Sequence, residues 1–186
     1  AMHTLGDAAV DQALVAYEAA LNDFPRDDHR HILIHAAIMD PPTIERAASL
    51  GIGIALQTPL MCWQQEPMEH LESILGKRAN HLVPLKSMLR AGLLLSIGSD
   101  GPCTKPDPIL GIHAACNHPN TNERISARDA LKMHTSWGAK MSFDEIERGT
   151  IAKGKIADFV VLDKNPLRVP PESIKDIEIE ALYLGG

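Results

Sequence analysis

The sequence predicts an α/β fold built of parallel βαβ units, followed by a small β segment of different character. Three observations predict it. Short aliphatic runs alternate with amphipathic helical stretches over residues 1–148. The runs are nearly all apolar, as expected of strands covered by helices on both faces. Past Gly149 the helical periodicity gives way to β-rich runs, so residues 149–186 read as a second unit.

The elements follow in order. From Asp7 to Phe24, apolar residues recur at Val10, Ala13, Leu14, Tyr17, Leu21 and Phe24, the three-and-four spacing of a helix with one buried face. His31 to Ala36 is a short strand. Asp40-Pro41-Pro42 then supplies an N-cap and first-turn prolines whose missing N–H groups cost nothing there, and Gly51 is the stop. Ile52 to Leu56 is the next strand, followed by a loop and helical stretches around Glu69–Leu75 and Leu82–Arg90, closed by Gly92. Leu93 to Ile97 is the third aliphatic strand, broken by Gly98-Ser99-Asp100-Gly101-Pro102. A helix is expected from Pro108 to Asn117, and another where Ser126 and Asp129 match the spacing of a capping box. Asp158 to Leu162 and Ile177 to Leu184 read as strands of the second unit.

Composition removes several classes of function. With 18 basic and 24 acidic residues among 186, the net charge of -6 has the wrong sign for tracking phosphates, so no nucleic-acid partner is expected. The most apolar stretches, Leu93–Ile97 and Phe159–Leu162, fall far below the ~18 residues that span a bilayer, so no membrane partner is expected either. The opening Ala-Met-His has neither the basic nor the apolar region of a signal peptide. Cys62, Cys103 and Cys116 form no Cys-x-x-Cys pair and read as reduced thiols, which with the missing signal points to the cytoplasm.

The nine histidines matter through their positions. His3, His35 and Asp100 each stand at or just beyond the C-terminal end of an expected strand, before a loop leading to a helix, where α/β barrels place their chemistry. Two imidazoles and a carboxylate all offer lone pairs near neutral pH, which suits zinc or a related divalent ion. Taken singly each has an ordinary alternative: His3 a loose terminus, His35 a core histidine, Asp100 a turn residue. His29-Arg30-His31 sits at the opposite end of its strand and reads as a solvated edge. His70, His81, His113, His118 and His134 lack matching spacing and default to surface or packing roles. Ser99 lacks the glycine two residues before it that a nucleophile elbow needs. Met61-Cys62-Trp63 could line a pocket, although Met and Trp at the base of a loop more often pack in the core.

Together, His3-Thr4-Leu5-Gly6-Asp7 with Ala9-Val10-Asp11, Ile34-His35-Ala36, Gly98-Ser99-Asp100 and Asp107-Pro108 resemble the amidohydrolase superfamily, in its amidohydrolase-3 (formamide deformylase-like) branch. The run from Gly149 to Asp163 resembles the segment by which such enzymes leave the barrel and enter a small β-sandwich. The resemblance covers essentially the whole chain. It implies the C-terminal half of a metal-dependent hydrolase (β/α)8 barrel, strands five to eight with their helices over residues 1–148, plus part of a composite β-sandwich over 149–186.

By that resemblance His3, His35 and Asp100 are the metal ligands after strands five, six and eight. Asp100 is also the catalytic residue, accepting a proton from the attacking water, while Gly6 and Asp7 shape the loop and cap the next helix. The implied cofactor is a divalent metal, zinc first. The implied partner is a small amide-like substrate cleaved at a C–N bond. Two positions depart from the family pattern: Ile34 where a glutamate often precedes the histidine, and Thr58 between Gln57 and Pro59. A complete barrel takes about 250 residues. The family's strand-one His-x-His pair and the strand-four ligand have no counterpart here, so the chain by itself is expected to be inactive and to form homo-oligomers through its open edge. A non-catalytic binding or regulatory protein derived from an amidohydrolase is the alternative.

Overall fold

A computed structural model describes residues 1–62 and 67–186, with the backbone alone at Cys62. The chain runs β1 (Met2–Thr4), α1 (Asp7–Asp23), β2 (Ile32–His35), α2 (Pro41–Ser49), β3 (Gly53–Leu56), α3 (Met68–Leu75), α4 (Leu85–Arg90) and β4 (Leu95–Ile97). It continues with α5 (Pro108–Cys116), α6 (Ala127–His134), α7 (Ser136–Met141), β5 (Phe159–Leu162) and β6 (Ile179–Tyr183). Strands β1 to β4 form one all-parallel sheet in sequence order. The fold is therefore α/β with a helix-linked parallel sheet, consistent with part of a barrel. Strands β5 and β6 pair antiparallel in a separate sheet with a register shift between Val161 and Leu162. None of the described helices is long and apolar enough to cross a membrane.

Capping residues start several helices. Asp40 accepts a bond from the Thr43 N–H at 3.0 Å, and Asp107 from that of Leu110 at 3.2 Å. Ser126 accepts from the Asp129 N–H at 3.1 Å and donates to the Asp129 carboxylate at 2.7 Å. At α1 the expectation needs correction: Gly6 occupies the cap without a side-chain bond, and Asp7 lies in the first turn, accepting from the Ala8 N–H. The helix expected from Leu82 begins at Leu85, because a helix running from Leu82 would crowd Pro84's ring against the residue before it, and Leu82 is engaged in a β-bridge with Ile38. The strands expected from Ile52 and Leu93 start later because those residues' N–H groups close the preceding helices on Ala47 and Met88.

The register sets which face of the sheet is covered. Leu33, Ile54 and Leu95 lie side by side, fully buried in one apolar cluster with Leu14, Ile44, Leu85 and Met88 of the flanking helices. The alternate row, His3, Ile34, Ala55 and Ser96, is exposed or half-buried. One face of the sheet is thus closed by helices while the other is partly open.

At the opposite end of β2, His29-Arg30-His31 is not the solvated edge its polarity implies. Arg30 joins Asp28 and Glu145 at 2.8 and 2.7 Å and lies 4.0 Å over the Phe143 ring. His29 accepts the His31 N–H on Nδ1, so its Nε2 carries the proton it donates to the Leu50 carbonyl at 2.9 Å. The segment ties the base of the sheet to the chain after α7.

Candidate active site at the strand ends

Three strands deliver the sequence-predicted residues to one end of the sheet. His35 is the last residue of β2, and Asp100 follows the last residue of β4 by three. His3 is the central residue of β1, so it stands within the strand. His3 pairs in register with Ile34, and simple alternation would put His3 and His35 on opposite faces. The backbone breaks that alternation: φ is +69° at His35 and +46° at Ala36, in the left-handed region. The rings of His3 and His35 then meet edge to face, with centroids 4.6 Å apart.

Asp100 also adopts a left-handed conformation, with φ +56°. Its turn is stitched by the Cys103 N–H to the Asp100 carbonyl (2.8 Å), the Gly101 N–H to Ser99 Oγ (3.2 Å), and the Thr104 hydroxyl to the Ser99 carbonyl. Ser99 thus serves the turn. Left-handed non-glycine residues cost of order 1–3 kcal/mol each and persist where surrounding contacts over-determine them. Here they aim two side chains at each other: His35 Nε2 lies 4.0 Å from Asp100 Oδ2.

His35 is 6% exposed, and its Nδ1 is buried without a hydrogen-bond partner. An orphaned buried polar atom costs about 1–3 kcal/mol, so the ring's polarity is not explained by packing. Two imidazoles and a carboxylate are chemically suited to a divalent cation. Their spacing is looser than a closed cage: among the described residues, no three His, Cys, Asp or Glu groups are placed to hold one ion as they stand. The set fits a metal as an open group of donors rather than a finished site.

All three residues line a cavity of about 450 Å³. The connection from β3 to α4 forms much of its wall and is fastened to the β2–α2 loop by the Ile38–Leu82 bridge and by the Val83 N–H to the Ala37 carbonyl at 2.7 Å. Arg78 adds an exposed ion pair to Asp7 at 3.1 Å, which holds the Asp7 carboxyl below the usual carboxylate range. Met61 lines the cavity and also packs against the core, so both readings of it hold; the Cys62 side chain and Trp63 lie outside the described residues. A larger hollow of about 740 Å³ lies between α6, α7 and the β5–β6 hairpin, and none of the three strand-end residues lines it.

Sequence reasoning named Gln57 only within a departure from the family pattern and Cys103 only as a reduced thiol. Gln57 follows β3 and donates to the Ala55 carbonyl at 3.1 Å, leaving its buried Oε1 unpaired between the ends of β2 and β4. Its place after a strand was the available signal. Cys103 lines the cavity three residues past Asp100, a closeness created by the turn. His118, as expected, packs: it accepts the Asn120 N–H on Nδ1 and donates from Nε2 to the Val83 carbonyl at 3.0 Å. Burial lowers its pKa.

Comparison with known proteins agrees with this architecture. The amidohydrolase-3 profile, described as Amidohydrolase family, matches residues 1–186. The chain belongs to the amidohydrolase family. It is 32% identical over 197 residues to YtcJ of Bacillus subtilis (strain 168), whose name carries a provisional amidohydrolase assignment, covering 100% of this chain and 36% of YtcJ. It is 30% identical over 201 residues to the N-substituted formamide deformylase of Arthrobacter pascens, covering 100% of this chain and 35% of that enzyme. Among solved structures, an uncharacterized metal-dependent hydrolase from Pyrococcus furiosus superposes with a TM-score of 0.73 at 29% identity, covering 89% of this chain and 33% of that one. This amidohydrolase chain therefore spans about a third of the length of these relatives and matches the C-terminal part of the two curated ones.

Proposed function

We propose that this chain carries part of the active site of a metal-dependent hydrolase acting on C–N bonds of small amide-like substrates. In this reading residues 1–148 are the barrel portion and 149–186 part of a β-sandwich. The observation that carries it is the convergence of His3, His35 and Asp100 on one cavity, with the unpaired Nδ1 of His35 beside them. His3, His35 and Asp100 would hold the ion, zinc by family resemblance, which when bound polarises the scissile carbonyl and acidifies water. Asp100 Oδ2, at the half-exposed mouth of the cavity, receives the proton of the attacking water and returns it to the leaving nitrogen. His35 Nε2 stands 4.0 Å from that carboxylate, and its buried ring shields the inner side of the site from bulk water.

The open spacing of the donors favours a second reading, a non-catalytic binding or regulatory protein derived from an amidohydrolase. Elemental analysis of the full natural chain, with an amidase screen on formamides and acetamides, separates the two. Stoichiometric zinc or another divalent ion with turnover supports the hydrolase. A metal-free, inactive full chain leaves the binding protein.

A further inference from the structure

Resting on the metal site of the hydrolase reading, we propose that Gln57 is a positioning residue: its Oε1 accepts, directly or across one water, the hydrogen bond that His35 donates from Nδ1. That bond keeps the ring proton on Nδ1 and leaves the Nε2 lone pair for a divalent cation. Two buried polar atoms carry the inference. Among the described residues, His35 Nδ1 and Gln57 Oε1 are both buried without a hydrogen-bond partner. They belong to adjacent strand ends: Ile34 of β2 pairs with Ala55 of β3, so His35 closes one strand where Gln57 directly follows the other. An orphaned polar group costs about 1–3 kcal/mol, and a donor and an acceptor on neighbouring strands relieve both costs with one bond.

The chemistry of each group fixes its role. The Gln57 amide nitrogen donates to the Ala55 carbonyl at 3.1 Å. A carbonyl only accepts, so the NH2 end must face it, and the end left over is the acceptor oxygen. The same amide lies near Gly98, two residues before Asp100, where a Cβ would stand 3.9 Å from Gln57 Nε2. Gln57 therefore sits between the strand ends that carry His35 and Asp100. On His35, Nε2 faces Asp100 Oδ2 at 4.0 Å, the side on which a cation shared by the two would lie. A neutral imidazole has one N–H, and when Nε2 ligates, Nδ1 carries it. Metal-ligating histidines almost always donate that N–H to an acceptor, and loss of the acceptor costs about ten- to hundredfold in metal affinity.

The test uses the full natural chain with isotope-labelled histidine. In mildly alkaline solution, where imidazoles are neutral, the ring-nitrogen shifts of His35, identified by their absence in His35→Gln, report which nitrogen holds the proton. The metal-free parent and Gln57→Glu, which keeps an acceptor, should show Nδ1–H; Gln57→Met, which has no oxygen there, should move toward Nε2–H. Zinc affinity, measured by competition with a chromophoric chelator, should fall about tenfold or more in Gln57→Met and stay at or above the parent's in Gln57→Glu. Unchanged tautomer and affinity in Gln57→Met, or an equal loss of affinity in both variants, overturns the inference. Nε2–H in the parent overturns it whatever the variants do, so the test does not depend on Gln57→Met folding. If tautomer and affinity behave as expected while no amide is hydrolysed, the role of Gln57 stands and the hydrolase reading fails. Amide hydrolysis by a parent whose His35 holds Nε2–H leaves the hydrolase reading standing and overturns the role of Gln57.

Discussion

Gly111, the fourth residue of α5, separates two packed elements, and alanine there sets two opposed effects against each other. In a helix interior Gly→Ala gains roughly 1 kcal/mol of propensity. A Cβ at this place, however, would stand 2.5 Å from His134 Nε2, 3.1 Å from His134 Cε1 and 3.3 Å from Ile97 Cγ2. The helix cannot slide away freely, because the Thr58 hydroxyl donates to the Gly111 carbonyl at 2.8 Å. His134 must move instead, and Ile97 at the end of β4 is pressed from the same side. Overpacking of this kind costs about 1–3 kcal/mol, so the net effect is a loss of about 1 kcal/mol. With a urea m-value of about 2 kcal/mol/M, the unfolding midpoint should fall by roughly 0.5 M with m unchanged. In a His134→Ala background the main clash is gone, and Gly111→Ala should become neutral or stabilising. Urea unfolding followed by circular dichroism measures both. A stabilised Gly111→Ala single mutant, or the same loss in the His134→Ala background, would refute the packing argument.

His134 itself should impose a pH dependence. Burial lowers its pKa from the ordinary 6.5 to about 4, so the unfolded chain binds a proton between those values that the folded chain does not. Stability is unaffected above pH 6.5, falls by up to about 3 kcal/mol on acidification to pH 4, and levels below. His134→Asn should flatten that window relative to the parent; equal slopes in thermal melts would show that another group titrates. In the full natural chain, Asp100→Asn should lower turnover far more than metal content, since the amide oxygen still ligates but accepts no proton; unchanged turnover would assign the base elsewhere. The 186-residue chain alone exposes Val160, Ile179 and Leu182 on the β5–β6 hairpin and the unpaired outer edge of β1. It should self-associate at micromolar concentration in light scattering, and a monodisperse monomer would contradict this.

Much of the secondary structure is local and was legible. Asp40, Asp107 and Ser126 cap the helices they precede because a short side chain reaches N–H groups two or three residues ahead. The apolar runs around Leu33, Ile54 and Leu95 became strands of one parallel sheet because only a helix-covered sheet buries so many aliphatic residues without polar alternation. That His3, His35 and Asp100 share one end of the sheet followed from strand direction alone. Their mutual approach did not. It required left-handed backbone at His35 and Asp100, which neither composition nor periodicity signals for non-glycine residues. Likewise the polarity of His29-Arg30-His31 implied solvent, but its partners Leu50 and Glu145 are distant in sequence. A sequence determines those interactions whose partners lie within a turn or a strand. Contacts between distant segments, and the cavity they enclose, were decided by register and by the conformations of a few residues at the strand ends, because side-chain direction there depends on neighbours brought together only by the completed sheet.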